Sequence, residues 1–167
     1  MTIETENLLY TTAESPIGQL LLIGDGETLR GVHIQEGRKP ARIGDSWKRA
    51  EEPFVEVRKQ LDEYFGGERV GFELALAATG SDFERRVWRE LEAIPYGETT
   101  SYGELAGRIG HPGSARAVGM ANGRNPISII VPCHRVIGAD GTLTGYGGGV
   151  ERKRFLLELE QGTLRLA

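Results

Sequence analysis

Cys133 is the only cysteine in a chain of 167 residues, and this decides how the chain must be held together. No internal disulfide can form and no cysteine-rich zinc cluster can be built, so buried apolar surface has to do the work. His33, His111 and His134 are the only histidines, and their spacing is not that of zinc ligands, so no structural metal is expected. Apolar residues at 39% and charged ones at 26% suit an ordinary globular chain with one domain or two small ones. A lone thiol fits a reducing cytosol, so a cytoplasmic location is expected. No run of about 18 apolar residues occurs, so no membrane span is expected. The opening MTIETENLLYTTAESPIGQL carries acids and no basic start, unlike a signal peptide.

The cysteine sits in NPISIIVPCHRV, residues 125–136. The run Ile127 to Val131 reads as a short buried strand that delivers the thiol at its end. A lone cysteine is more often a small buried hydrophobe than a nucleophile. Its neighbours point the other way. Pro132 cannot donate to a ladder, so the strand should stop there. His134 and Arg135 place a base and a cation beside the sulfur, which lowers a thiol pKa.

Residues 8–35 predict a three-strand meander, with turns at Ser15-Pro16-Ile17-Gly18 and Asp25-Gly26. The polar stretch 36–52 reads as a loop. Phe54, Val57, Leu61, Tyr64 and Phe65 recur at helical spacing, so 53–65 is an amphipathic helix ended by Gly66-Gly67. GFELALA, 71–77, alternates like one more strand. This half shows no catalytic cluster and reads as a support domain, 1–78. A second domain, 79–167, starts beyond the boundary at Ala77-Ala78-Thr79-Gly80. Ser81 and Glu84 fit a capping box for a helix over 82–94. SYGELAGRIG, then His111-Pro112-Gly113, then SARAVGMANG gives helix, three-residue turn, helix. The fold class is therefore α/β of the α+β kind.

In the second of those helices Ser114, Ala115, Ala117, Gly119 and Ala121 are small, with Arg116 among them. Such a face either packs tightly on another helix or lies close to a DNA groove. Residues 138–149 hold a glycine-rich loop with no nucleotide fingerprint, which suits a cover over a flat ligand with Tyr146 packed on it. The last helix, ERKRFLLELEQG, can turn Phe155, Leu156 and Leu159 to the core. Glu160 is either a solvated charge or an inward partner for His134. Net charge is −4, but residues 82–167 come to +1 and the remainder to −5. Arg108, Arg116, Arg124 and Arg135 face only Glu104 between 102 and 136, enough to touch a few phosphates.

Together these residues resemble the O6-alkylguanine-DNA alkyltransferases of bacterial type, also called methylated-DNA–protein-cysteine methyltransferases. PCHRV at 132–136 is that family's active-site signature. IPYGETTSYGELA at 94–106, ARAVG at 115–119 and GYGGG at 145–149 stand at the expected intervals. The resemblance implies an N-terminal ribonuclease-H-like domain without that activity, with a small antiparallel sheet. It implies a mainly helical, winged-helix-like C-terminal domain with a helix-turn-helix that enters the minor groove. Cys133 is then the alkyl acceptor and His134 the base, acting through a water. Glu160 holds the imidazole, and Asn125 ties the recognition helix to the active-site strand. Tyr102 crowds the target phosphate and hydrogen-bonds the guanine O6, while Arg116 fills the stack when the base flips out. Ser114, Ala115, Ala117 and Gly119 lie along the DNA. Cys133 and Val136 read the guanine edge by their backbone, with Tyr146 and Gly147 over it.

The implied activity is direct-reversal repair of O6-alkylguanine, with O4-alkylthymine as a further candidate. One irreversible transfer occurs per molecule, and no cofactor or metal takes part. The partner is double-stranded DNA, bound by a monomer that could be cooperative along it. The N-terminal half lacks the cysteine and histidine set with which some members hold zinc. Two rivals remain: a DNA-binding regulator using 102–124 alone, for which Cys133 is dispensable, and a cysteine hydrolase using Cys133, His134 and Glu160. The second leaves Arg116 without a task, and its histidine would ordinarily be distant in sequence.

Overall fold

The computed structural model describes residues 7–37, 40–143 and 145–163. The first six residues and Thr144, which enter the readings of the chain's start and of the glycine-rich loop, lie outside that set, as does the tail 164–167. The expected meander is present as β1 (Leu9–Ala13), β2 (Leu20–Gly24) and β3 (Leu29–Ile34), each antiparallel to the next. Both turns are set by side chains. Ser15 Oγ donates to the Gly18 carbonyl at 2.6 Å, and Asp25 Oδ1 accepts from the Thr28 amide at 2.7 Å. Gly18 at φ +102° and Gly26 at φ +97° take backbone conformations that other residues resist.

β2 is buried along its whole length because both faces of the sheet are covered. Leu20 and Leu22 join the main core with α1 (Val55–Phe65), through Val57, Leu61 and Tyr64. Leu21 and Ile23 join a small second cluster with Leu8, Tyr10, Ala41 and Trp47. The segment 36–52 is not all loop. Lys48–Arg49 forms β4, parallel to β1, so the sheet runs β3-β2-β1-β4 and is not purely antiparallel.

Residues 71–77 are not a strand. They touch β3 at one bridge, Leu29 with Leu76. The side chains do alternate, but Gln60 of α1 takes the backbone of Glu73. Its Oε1 accepts the Glu73 amide at 2.9 Å, and its Nε2 donates to the Glu73 carbonyl at 3.1 Å. Those groups would otherwise seek a strand partner.

The C-terminal half holds α2 (Asp82–Glu92), β5 (Thr100–Ser101), α3 (Tyr102–Arg108), α4 (Ala115–Gly123), β6 (Val136–Ile137) and α5 (Val150–Gln161). The Ser81–Glu84 capping box forms, and a second, Ser101–Glu104, starts α3. The turn between α3 and α4 is longer than the expected three residues. It runs from Ile109 to Ser114, with Gly110 and Gly113 at positive φ. α4 packs its Val118 and Ala121 inward, where Trp88 of α2 donates its indole N–H to the Ala121 carbonyl at 2.8 Å. Strands β5 and β6 pair in parallel and set the start of α3 beside the end of the PCHRV segment.

Candidate active site

The run Ile127 to Val131 is buried but is not a strand. It touches β3 once, at Val32 with Ile127, and then coils, with Ile129 at φ +74°. Asn125 explains this. Its Oδ1 accepts the Ile127 amide at 3.0 Å, and its Nδ2 donates to the Val131 carbonyl at 2.7 Å. One amide side chain thus replaces the ladder, folding 127–131 into a compact loop at the end of α4. The Asn125 side chain thus bonds within the cysteine segment, where a coil stands in place of the expected strand.

Cys133 opens a single 3-10 turn, Cys133–Arg135, after Pro132. Its residue is 5% exposed and lines a cavity of about 90 Å³. Asn122 and Gly123 from α4, Asn125 and Ser128 from the coil, and the 145–148 loop form much of the wall. His33 and Ile34 of β3 complete it from the N-terminal half. A larger cavity of about 250 Å³ lies between the β2–β3 turn and α1, and its lining holds no thiol or histidine.

The residue after the thiol belongs to a buried polar cluster. His134 is fully buried, and its Nε2 meets Glu160 Oε2 at 2.7 Å. A carboxylate only accepts, so Nε2 carries the hydrogen and Nδ1 presents a lone pair. Nδ1 is buried with no hydrogen-bond partner among the described residues. Glu160 also accepts from the Tyr64 hydroxyl at 2.6 Å and from Arg135 at 2.7 and 3.0 Å. Arg135 further donates to the Ile94 carbonyl at 2.7 Å and lies over the Tyr96 ring. Burial alone would raise the Glu160 carboxyl, but the hydrogen bonds from His134 and Arg135, with the Arg135 charge, hold it at about 2. Burial lowers the His134 pKa, against the pull of Glu160.

Arg135 therefore serves the carboxylate and not the sulfur, contrary to the sequence expectation. The cation that favours the thiolate is Lys153 of α5, buried, with its ammonium 5.9 Å from the centre of the Tyr102 ring. Burial pushes the Cys133 thiol up, while Asn125 and then Lys153 oppose the rise. Burial lowers Lys153 in turn. Lys153 was missed in the sequence because it stands in the basic run Arg152-Lys153-Arg154. The signal was there: 153, 156, 157 and 160 follow helical spacing and share the buried face. Tyr64 was read only as core, yet it carries a hydroxyl to Glu160, so the N-terminal half does reach the polar cluster.

Tyr102, half-buried, opens α3. Its ring lies against Gly119 of α4, and its hydroxyl is near Gly145. Tyr146 lines the cavity, buried, with a hydroxyl that has no hydrogen-bond partner among the described residues. Gly147 lines the cavity beside it. Val136 is buried in β6 and does not line the cavity. On the outer face of α4, Arg116 and Ala117 are exposed, and Met120 is 56% exposed. Ser114, Ala115 and Gly119 are half-buried. The small residues therefore serve both uses: Ala121 packs inward, while Ala117 leaves the outer face low. Among the described residues, no group of three or more His, Cys, Asp or Glu is placed to hold a metal. No helix there is long and apolar enough to cross a membrane.

The geometry has counterparts elsewhere. Residues 82–162 match the family model described as 6-O-methylguanine DNA methyltransferase, DNA binding domain, and residues 8–78 match that family's ribonuclease-like domain. The chain is 54% identical over 153 residues to a methylated-DNA–protein-cysteine methyltransferase of Methanosarcina acetivorans, covering 92% of this chain and 98% of that one. It is also 54% identical to a protein of the same name from Mycobacterium tuberculosis, covering 91% of this chain and 92% of that one. The crystal structure of M. tuberculosis OGT in complex with DNA superposes with a TM-score of 0.87 at 53% identity, over 93% of this chain and 94% of that one. The M. tuberculosis O6-methylguanine methyltransferase gives 0.87 at 51%, over 96% of each.

Proposed function

Since the chain belongs to the 6-O-methylguanine DNA methyltransferase family, we propose that it repairs O6-alkylguanine in duplex DNA by moving the alkyl group onto its own Cys133. The observation that carries this is the sole thiol, lining a cavity and followed directly in the chain by a buried histidine whose Nε2 is held by a buried carboxylate. Resting Cys133 is a thiol, because burial raises its pKa. With the lesion seated, His134 Nδ1 takes the sulfur proton, directly or through a bridging water. Glu160 stabilises the imidazolium through Nε2. Lys153 offsets the charge left on sulfur.

The thiolate attacks the alkyl carbon, a carbon–sulfur bond forms, and the carbon–O6 bond breaks with its electrons going to O6. Tyr102 donates a hydrogen bond towards that oxygen as charge develops. The product is a thioether, so each molecule reacts once. The target base leaves the stack to reach the cavity, at a cost of a few kcal/mol that a damaged pair reduces. Arg116 fills the gap, and the low outer face of α4, with Ser114, Ala115, Ala117 and Gly119, lies in the minor groove. Asn125 keeps the cysteine segment compact. The backbone of Cys133 and Val136 and the Tyr146–Gly147 loop read the base.

The match of the two family models to 8–78 and 82–162 supports a division into 1–78 and 79–167. A lone thiol suits a reducing cytosol, which supports a cytoplasmic location; the protein acts as a monomer without a cofactor in this reading. Intact mass after incubation with a duplex carrying one O6-methylguanine tests the reading. A gain of one methylene on Cys133, stopping at one equivalent and absent in Cys133→Ser, is the expected result. Tight lesion binding without a mass gain would make this a recognition protein.

A further inference from the structure

The glycine-rich loop beside Cys133 is held largely from outside itself. Its first part turns on itself, with Gly138 N–H donating to the Thr142 carbonyl at 2.9 Å, but within residues 145–149 the hydrogen bond found among the described residues is Gly149 N–H to the Tyr146 carbonyl at 2.9 Å. Besides Tyr102 of α3, whose hydroxyl is near Gly145, three contacts among the described residues reach this segment through the N-terminal half. Arg152 of α5 donates from Nε to the Ile17 carbonyl in the β1–β2 turn at 2.8 Å. Its Nη1 donates to the Gly148 carbonyl in the loop at 3.2 Å. Gly37, just past β3, lies flat against the loop: a methyl group there would stand 2.7 Å from the Gly147 carbonyl oxygen and 2.8 Å from Gly148 Cα. Ile34 closes the third contact, since a methyl group on Gly148 would meet its Cδ1 at 2.7 Å.

The two N-terminal pieces are themselves tied. The Gln35 amide donates to the Gln19 carbonyl at 2.9 Å, and Glu36 accepts the Gln19 amide at 2.9 Å. The Ser15–Gly18 turn, the Gln35–Gly37 turn and the loop thus meet at one point, with Arg152 joining the first to the last.

We infer that the N-terminal hairpin sets the position of the loop over the alkylated base, with Arg152 as the positioning residue that transmits it. This rests on the alkyl-transfer reading. It gives the N-terminal half a part in the reaction, since Tyr146 and Gly147 are carried on the backbone that Gly37, Ile34 and Arg152 fix. Neither Arg152 nor Gly37 reaches the sulfur, so neither should alter the chemistry of the thiol itself.

The test uses the full chain with Gly37→Ala, Arg152→Ala and Arg152→Lys. Methyl transfer from an O6-methylguanine duplex is followed in single turnover at saturating duplex. Alkylation of Cys133 by iodomethane, which needs no base in the cavity, is followed in parallel. Gly37→Ala and Arg152→Ala should lower the saturating transfer rate by roughly tenfold or more, because a misplaced cover loses alignment with the target. Duplex affinity and the iodomethane rate should stay within about twofold, and Arg152→Lys should recover part of the loss by keeping one donor. Transfer unchanged in both Gly37→Ala and Arg152→Ala overturns the inference. So does an iodomethane rate that falls in step with transfer, which would mark a general disturbance of the thiol. A wild-type protein that transfers no methyl overturns the alkyl-transfer reading itself, and is told apart by being seen before any substitution.

Discussion

Among the described residues, buried Glu160 accepts four hydrogen bonds from three residues. Its carboxyl lies at about 2, against an ordinary value of 4.5. The folded pKa is below the unfolded one, so on acidification the unfolded chain takes up this proton first. The stability it contributes is complete above about pH 5 and is lost as pH falls from about 4.5 towards 2, about 3 kcal/mol in all. Urea midpoints at pH 5, 4 and 3 should therefore fall steeply for the wild type and more gently for Glu160→Gln. Equal slopes would mean that the carboxylate is not held down as described. At this scale the pairing of His134 with Glu160 was legible in the sequence, because a carboxylate on the last helix has few other inward partners. Lys153 and Tyr64 were hidden, because a lysine in a basic run and a tyrosine on an apolar helix face ordinarily have plainer explanations.

Two elements depend on side-chain amides in place of strand pairing. Asn125 takes up backbone groups of Ile127 and Val131, and both are buried. Asn125→Ala should destabilise the protein by about 2–4 kcal/mol by leaving those groups unpaired. It should also slow methyl transfer more than it weakens duplex binding, which paired denaturation and single-turnover assays would check. At α4 the expectation concerns charge. Arg116 is exposed on the outer face, so Arg116→Ala should weaken duplex binding and reduce the salt-dependence slope by about one unit if it contacts a phosphate. A large affinity loss with no slope change would favour its role as a filler in the stack. The helices and the meander were legible because their periodicity reports both burial and hydrogen bonding. Residues 71–77 and 127–131 were misread because alternation and β-branching report burial alone. Gln60 and Asn125 supply the hydrogen bonds that strands would have made. β4 was missed because a pair of charged, exposed residues has no apolar signature.

The whole molecule has one main core. Buried residues from β2, β3, α1, α2, α4 and α5 belong to the same apolar cluster, and Tyr64 bonds to Glu160 across it. Two domains by descent should thus unfold as one. Trp47 lies in the N-terminal half and Trp88 in α2, and they are the only tryptophans. Single-tryptophan variants should give coincident urea transitions; separated midpoints would show that the halves melt apart. The depth of the thiol has a consequence on the scale of the cell. If each molecule reacts once, as proposed, the protein is useful only for as long as its cysteine stays unmodified. Oxidants and stray methylating agents act on exposed thiolate, and Cys133 at rest is neither exposed nor ionised. The cavity thus sets a shelf life: by burying Cys133 it slows such stray reactions in the interval before a lesion arrives.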